Sequence, residues 1–350
     1  GYPPVHSLGV LFNGVFSSPK HVSNVIIKST PLILTGLGVA FAFKTGLFNI
    51  GAEGQFIMGS VAATVVGILF DFPPVIQIPL VLSAGVAAGA VYGGIAGFLK
   101  AKFGIHEVLT SIMLNWIALY FSNYVCGLNR FHKPDTIGTY AINRSGYTMI
   151  LGNYKATEEG KAALAQNEFL RSTILKTDVN AGFIIAIVLA VLISFLLYKT
   201  AKGFELRAVG SNRFAAEFSG IYVNRNILHS MLISGAICGL AAALYITGNS
   251  PHGIATLAAF ENTGFNGLAV CLIAASSPIG CIFAGLLFGG LIYGGQTLQY
   301  EVGAPSEIIN IVIGVIVFFV ALTHIIPPLV ERLRKVPLGK PGRNVSKGGK

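Results

Sequence analysis

The chain has 350 residues, 53% of them hydrophobic and only 11% charged, with 43 glycines and a formal net charge of +10. That balance excludes an ordinary soluble globular domain and fits an all-α, polytopic membrane helix bundle whose partner along most of its length is the lipid bilayer. The positive charge is weighted to loops and tail, where it acts as an orientation signal, and nucleic acid is not expected as a partner.

About 20 apolar residues span the hydrocarbon core. Stretches free of Asp, Glu, Lys and Arg run over 29–43, 54–70, 72–99, 108–129, 179–198, 226–260, 262–300 and 308–330. The stretch 262–300 is too long for one helix, and Ser276, Ser277, Pro278, Ile279 and Gly280 give a turn signal near its middle, so the expectation is nine spans. Basic residues of the tail 331–350 and of the loop 199–225 place both on the cytoplasmic side, with Lys44 and the 100–106 turn. Residues 128–178, 249–263 and 301–306 then fall outside. The 128–178 insert carries seven basic and five acidic residues, a weak vote by comparison. An odd count with the C-terminus inside leaves Gly1 outside. Because the chain starts at Gly rather than Met, a further span ahead of it would bring the intact count to ten. The membrane domain is thus 1–330, followed by a basic tail.

Two polar interruptions separate short apolar helices from their neighbours. The first is residues 46–55, with Asn49, Glu53 and Gln55; the second is 261–267, with Asn262, Phe265 and Asn266. Each combines Phe, Asn and Gly with a nearby Glu and opens an apolar helix. Gly-interrupted segments at corresponding places in two related halves point to a midplane binding site, because the N-termini of discontinuous helices present free amide donors. Two interfacial turns are the plainer alternative. Glu53 is expected to cap the following helix, pair with Lys44 or face the pathway. Asn115 and Trp116 lie in the 108–129 stretch, the first a candidate for helix-to-helix bonding and the second for an interfacial anchor.

Glycines at 85, 89, 93 and 97 recur every four residues and so share one helix face; Gly235 with Gly239, and Gly285 with Gly289, repeat the spacing. They imply tight packing, inside the chain or at a dimer contact. Cys126, Cys238, Cys271 and Cys281 show no metal or disulfide spacing. Enzyme chemistry is not indicated, since the chain lacks HExxH and GxSxG, and Gly339–Lys340 is followed by Pro341 rather than the hydroxyl residue of a P-loop. ATP and its Mg²⁺, if used, belong to another subunit. The near absence of ionisable groups from the spans argues against a proton-coupled carrier.

The segment from Pro31 to Gly67, with Thr35, Gly36, Leu37, Phe41, Phe43 and Gly46 through Gln55, resembles the permease subunits of ATP-binding-cassette importers. The branch is the one serving nucleosides, simple sugars and branched-chain amino acids. The Asn-Ile-Gly-Ala-Glu-Gly-Gln form of residues 49–55 is similar to the nucleoside type, paired with a lipoprotein of the basic membrane protein family. Residues Gly203, Leu206, Ala208, Val209, Ser219, Ile221 and Val223, with those named below, match that branch's cytoplasmic coupling segment. The resemblance continues through Ser234–Ala242 and Gly264–Gly295.

It implies a non-catalytic membrane subunit working with a separate ATPase of two fused domains, a second permease that is a different chain, and an external substrate-binding lipoprotein. Arg207, Gly210, Asn212, Arg213, Ala215, Ala216, Glu217 and Gly220 are then the ATPase-coupling residues, with a short lever helix at 212–219. Arg207 and Arg213 are expected to meet acidic groups on the ATPase. Phe214 stands where relatives usually carry Glu. For a nucleoside, neutral and stackable, the path candidates are Asn49, Glu53, Gln55, Asn115, Trp116, Asn262, Phe265, Asn266 and Gln296. A simple-sugar importer is the alternative cargo reading, and an ion-coupled secondary carrier the alternative class.

Overall fold

The computed structural model describes residues 4–152, 154–303, 305, 308–319 and 322. The helices in chain order are α1 Pro4–Phe16, α2 Pro19–Lys44, α3 Ala52–Leu69, α4 Pro74–Phe103, α5 Glu107–Gly127, α6 Glu158–Gln166, α7 Glu168–Leu170, α8 Gly182–Lys199, α9 Ala201–Ser211, α10 Arg213–Phe218, α11 Val223–Gly248, α12 Thr263–Ile273, α13 Pro278–Val302 and α14 Ile308–Phe319. Seven of the described helices (α2, α3, α4, α5, α8, α11 and most of α13) are long and apolar enough to cross a membrane.

The difference from nine spans has two causes. Residues 262–300 do break in two, but the turn falls at 274–277, where Ala275 and Ser276 take left-handed backbone angles of φ 50° and 55°. The first piece, α12, has 11 residues, about 16 Å of helix, roughly half the hydrocarbon thickness. The last stretch is described only over α14 and residue 322; the rest of 308–330 and the tail 331–350 lie outside the described residues. Helix α2 also begins earlier than expected, because its first turns include Lys20, His21 and Lys28 ahead of the buried run from Ser29 to Ala42.

The core is organised around α11, which packs on α2, α3 and most closely on α4. The glycine spacing explains the last contact. A Cβ on Gly89 would run into the Gly235 carbonyl oxygen, and one on Gly239 into that of Gly85, so the two stripes seen separately in the sequence face one another. Gly285 and Gly289 likewise seat α13 on Ile33 and Ser29 of α2. All three glycine devices are used inside this chain. The four cysteines are free and buried.

Residues 128–180 fold back over the bundle as a cap and pair with the linker 249–262. Thr139 N–H donates to Ile254 O (2.9 Å), Ile142 N–H to His252 O (2.9 Å) and Thr256 N–H to Ile137 O (2.8 Å). His252 is buried there, its ring stacked on Tyr147 at 3.8 Å and its Nδ1 2.9 Å from the Ile246 carbonyl. Burial pushes the His252 imidazole below its ordinary value; the Ile246 carbonyl and Asp178 oppose this and Lys155 reinforces it.

The unfolded chain therefore binds more protons here than the folded one. Cap stability is full above the ordinary value of 6.5 and is lost as the pH falls below it. Hydrogen exchange at 137–148 and 252–256, corrected for its intrinsic pH dependence, is expected to accelerate between about pH 7 and about pH 5. In His252→Phe, which keeps the stack, the acceleration is expected to vanish.

Candidate translocation site and coupling surface

The two polar interruptions of the sequence meet. After α2 the chain turns at Gly46 (φ +72°) and re-enters the bundle, so that Asn49 Nδ2 donates to Ser234 Oγ at 2.7 Å. Ser234 lies 11 residues along α11, about 16 Å from the start of that helix, which puts the break near mid-depth. Asn49 and Gln55 exchange a reciprocal pair of amide bonds (3.1 and 3.2 Å), and Asn49 Oδ1 also accepts from Gly51 N–H (3.0 Å). Asn115 Oδ1 accepts from Gly54 N–H (2.8 Å) while its Nδ2 donates to Ile50 O (3.1 Å). These three amides are buried and hold irregular backbone that would otherwise stand unpaired in the membrane.

Glu53, buried in the first turn of α3, accepts at Oε1 from Asn262 N–H (3.0 Å) and at Oε2 from Gly264 N–H (2.6 Å) and Phe265 N–H (3.3 Å). The half-helix α12 has no side-chain cap of its own, since Asn262 at its start is left-handed and makes no capping bond. Glu53 supplies the cap from another helix. Glu53 thus caps a helix, but that helix is α12 and not the α3 in whose first turn it sits. Gly264 is required by the same contact: a Cβ there would strike the backbone of Glu53.

Beside this latch lies a cavity of about 460 Å³ between α2, α12, α13 and α14. Asn262, Asn266 and Gln296, anticipated from the sequence, line it; so do Gln299, Asn310, Lys28 and Glu261, which were not. Gln299 was detectable as the i+3 companion of Gln296 on an apolar helix. A second cavity of about 100 Å³ is lined by Glu53, Ser60 and Ser122, and Tyr245 and Glu261 border both spaces. Asn49, Gln55 and Asn115 line neither. Trp116 is half-exposed on α5, in contact with Phe260, which in turn meets Phe265.

At the other end of the bundle lie α9 and α10, and α10 coincides with the short helix anticipated at 212–219. Asn212 caps α10, its Oδ1 accepting from Ala215 N–H at 3.1 Å, and Ser219 closes it. Ala216 turns inward among Leu47, Ile227 and Met231, whereas Phe214, Ala215, Glu217 and Phe218 face out, Phe214 at 85% and Phe218 at 97% exposure. Glu217 and Gly220 border a groove of about 750 Å³ that includes Tyr222 and Arg225.

The two arginines also bond within the chain. Arg207 Nε donates to Leu197 O (2.9 Å) with its guanidinium over the Tyr198 ring, and Arg213 reaches Gly46 O (3.2 Å). Both bind the bundle itself, leaving apolar rings and Glu217 as the outward chemistry of α10. Gly210 lies against Lys44 O and Gly46 N, so α9 rests directly on the turn that leads into the membrane break.

Comparison with known proteins agrees with this architecture. The chain is 39% identical over 335 residues to the guanosine ABC transporter permease protein NupP of Bacillus subtilis (strain 168), covering 96% of this chain and 90% of that protein. It is 35% identical to the nucleoside ABC transporter permease protein NupB of Lactococcus lactis subsp. cremoris (strain MG1363), over 96% and 88%. It is 32% identical to the glucose ABC transporter permease protein TsgB13 of Haloferax volcanii, over 90% and 80%. Residues 21–321 match the family model described as branched-chain amino acid transport system / permease component. With a helical bundle broken at mid-depth, the short helix α10 at one end and that match over most of its length, the chain belongs to the permease-component family of ABC transporters, as a non-catalytic membrane subunit.

Proposed function

We propose that this chain is the membrane-spanning permease of an ATP-driven nucleoside importer in a bacterial cell membrane, with α9, α10 and the C-terminus in the cytoplasm. The observation that carries the cargo is the match, over 96% of the chain, to relatives whose names specify guanosine and nucleosides. The amide-rich cavity at Asn262, Asn266, Gln296 and Gln299 suits a neutral, hydroxyl-bearing solute. The partners are a cytoplasmic ATPase of two fused domains carrying ATP and Mg²⁺, a second permease of different sequence, and an external substrate-binding lipoprotein. The chain has nine membrane segments in two related halves, counting the half-helix α12 and the segment that α14 opens.

Coupling follows from contacts already described. Closure of the ATPase moves α10; Arg213 on Gly46 and Gly210 on the α2 turn carry that movement to residues 45–51. Glu53 passes it to the N-terminus of α12 beside the cavity. The ATPase supplies the bias between inward- and outward-open states, since a ligand shifts such an equilibrium only by its differential affinity.

The test is uptake of labelled guanosine by proteoliposomes holding the complete transporter, with ATP inside. Uptake blocked by other nucleosides but not by free glucose or ribose supports the reading. The similarity to a glucose permease keeps a sugar importer as the second reading, which the reverse competition would establish. Uptake by this chain alone, driven by an ion gradient without ATP, would replace both with a secondary carrier. Ala216→Trp, at a buried site under α10, and Gly220→Val, at φ +79°, are expected to abolish uptake while leaving membrane insertion intact. Unimpaired transport in both would mean that the loop serves orientation only.

A further inference from the structure

Helix α5 presents an aromatic face that lipid does not account for. Trp116 stands nine residues along this 21-residue helix, about 14 Å from its start, close to mid-membrane rather than at the headgroup level where aromatic belts lie. It is 44% exposed, and Tyr120, one turn on, is 66% exposed with a hydroxyl that makes no hydrogen bond among the described residues. Tyr120 stands about 20 Å along α5 and about 10 Å short of its other end, where an unpaired hydroxyl is costly against hydrocarbon, so this face borders a path or another polar surface.

The rings form a series. Tyr120 stacks on Trp116 at 6.1 Å and 26°; Trp116 meets Phe260 at 4.7 Å; Phe260 meets Phe265 edge-on at 5.7 Å. Asn123 fixes the arrangement by binding the linker twice, with Nδ2 donating to Leu257 O (2.8 Å) and Oδ1 accepting from Leu257 N–H (3.0 Å), which pins the segment carrying Phe260 to α5. The series ends on α12 at Phe265, flanked in sequence by Asn262 and Asn266 of the larger cavity.

Resting on the nucleoside reading above, we infer that Tyr120, Trp116, Phe260 and Phe265 form a stacking track for the base of the nucleoside, leading to the amide groups that meet its ribose. Every base has a π-face, so such a track passes purines and pyrimidines alike, and one stacking contact is worth about ten-fold in occupancy. It gives no comparable hold on a free sugar.

Trp116 is the only tryptophan in the chain, so the difference in emission between the assembled transporter and its Trp116→Phe variant isolates this indole. Adenosine and uridine are expected to quench that difference signal, and ribose to leave it unchanged. Trp116→Ala is expected to lower maximal nucleoside uptake about ten-fold, with Trp116→Phe restoring most of it, in complexes shown by co-purification to retain the ATPase.

Nucleoside uptake by the wild type that persists in Trp116→Ala, with no quenching, overturns the track and leaves the cargo reading standing. A blue-shifted, nucleoside-insensitive emission also overturns it and assigns the face to the second permease. A wild type that imports no nucleoside while importing sugar overturns the cargo reading, and the track with it.

Discussion

Glu53→Gln is expected to disable the transporter although it changes only one atom and one charge. Glu53 offers two acceptor oxygens to three backbone donors, and glutamine would set an NH₂ group against the N–H of Asn262 or against those of Gly264 and Phe265. Each buried donor left without a partner costs about 1–3 kcal/mol. The loss at the start of α12 is therefore about 1–3 kcal/mol if the NH₂ faces Asn262 and about 2–6 kcal/mol if it faces Gly264 and Phe265, which loosens a half-helix that has no cap of its own. Glu53→Ala removes all three bonds and is expected to be at least as severe. Thermal unfolding of the purified complex and guanosine uptake would both fall. If Glu53→Gln retained wild-type uptake and melting temperature, the latch would have no role in the cycle.

Gly89→Leu and Gly239→Leu are expected to prevent folding rather than transport. Beyond its collision with Gly235 O, a Cβ on Gly89 would stand 2.7 Å from Gly239 Cα; a Cβ on Gly239 would stand 3.0 Å from Gly85 C. The obstacles are backbone atoms, which cannot rotate away, so α4 and α11 must separate over their whole shared face. Overpacking alone costs about 1–3 kcal/mol at ordinary core sites, and more where two helix backbones touch. Size-exclusion profiles of detergent extracts would show aggregate in place of a monodisperse peak. Gly127→Ala is the control, since nothing lies within 4 Å of a Cβ there. A normal profile for Gly89→Leu would mean that the close helix approach is dispensable.

Much of this was legible where the signal is local. The glycine repeat on α4 and the pair on α11 declared their faces through a spacing of four, and Asn212 declared the start of α10 because a capping side chain acts on its own next residues. The break in 262–300 was legible too, though displaced. The turn signal ran over Ser276–Gly280, and the chain turns at its leading edge, over 274–277, where Ala275 and Ser276 take left-handed angles without a glycine.

What stayed hidden is non-local. Glu53 lies 211 residues from Gly264, and no periodicity links them. Asn49, Gln55 and Asn115 were recognisable as polar groups at depth, but whether they face a path or bind backbone depends on which loop the fold brings to them. Arg207 reads as an exposed basic residue until Tyr198 and Leu197 O are seen beneath it.

The burial of all four cysteines makes the native chain a near-silent background for thiol labelling. A single cysteine introduced at Phe218, on α10, or at Ile137, on the cap and 74% exposed, would stand alone in reacting with a maleimide that does not cross membranes. In sealed cells the proposed orientation requires Ile137→Cys to be modified and Phe218→Cys to be protected until the membrane is opened. The sidedness of the whole bundle can thus be read by chemistry, without first rebuilding its interior.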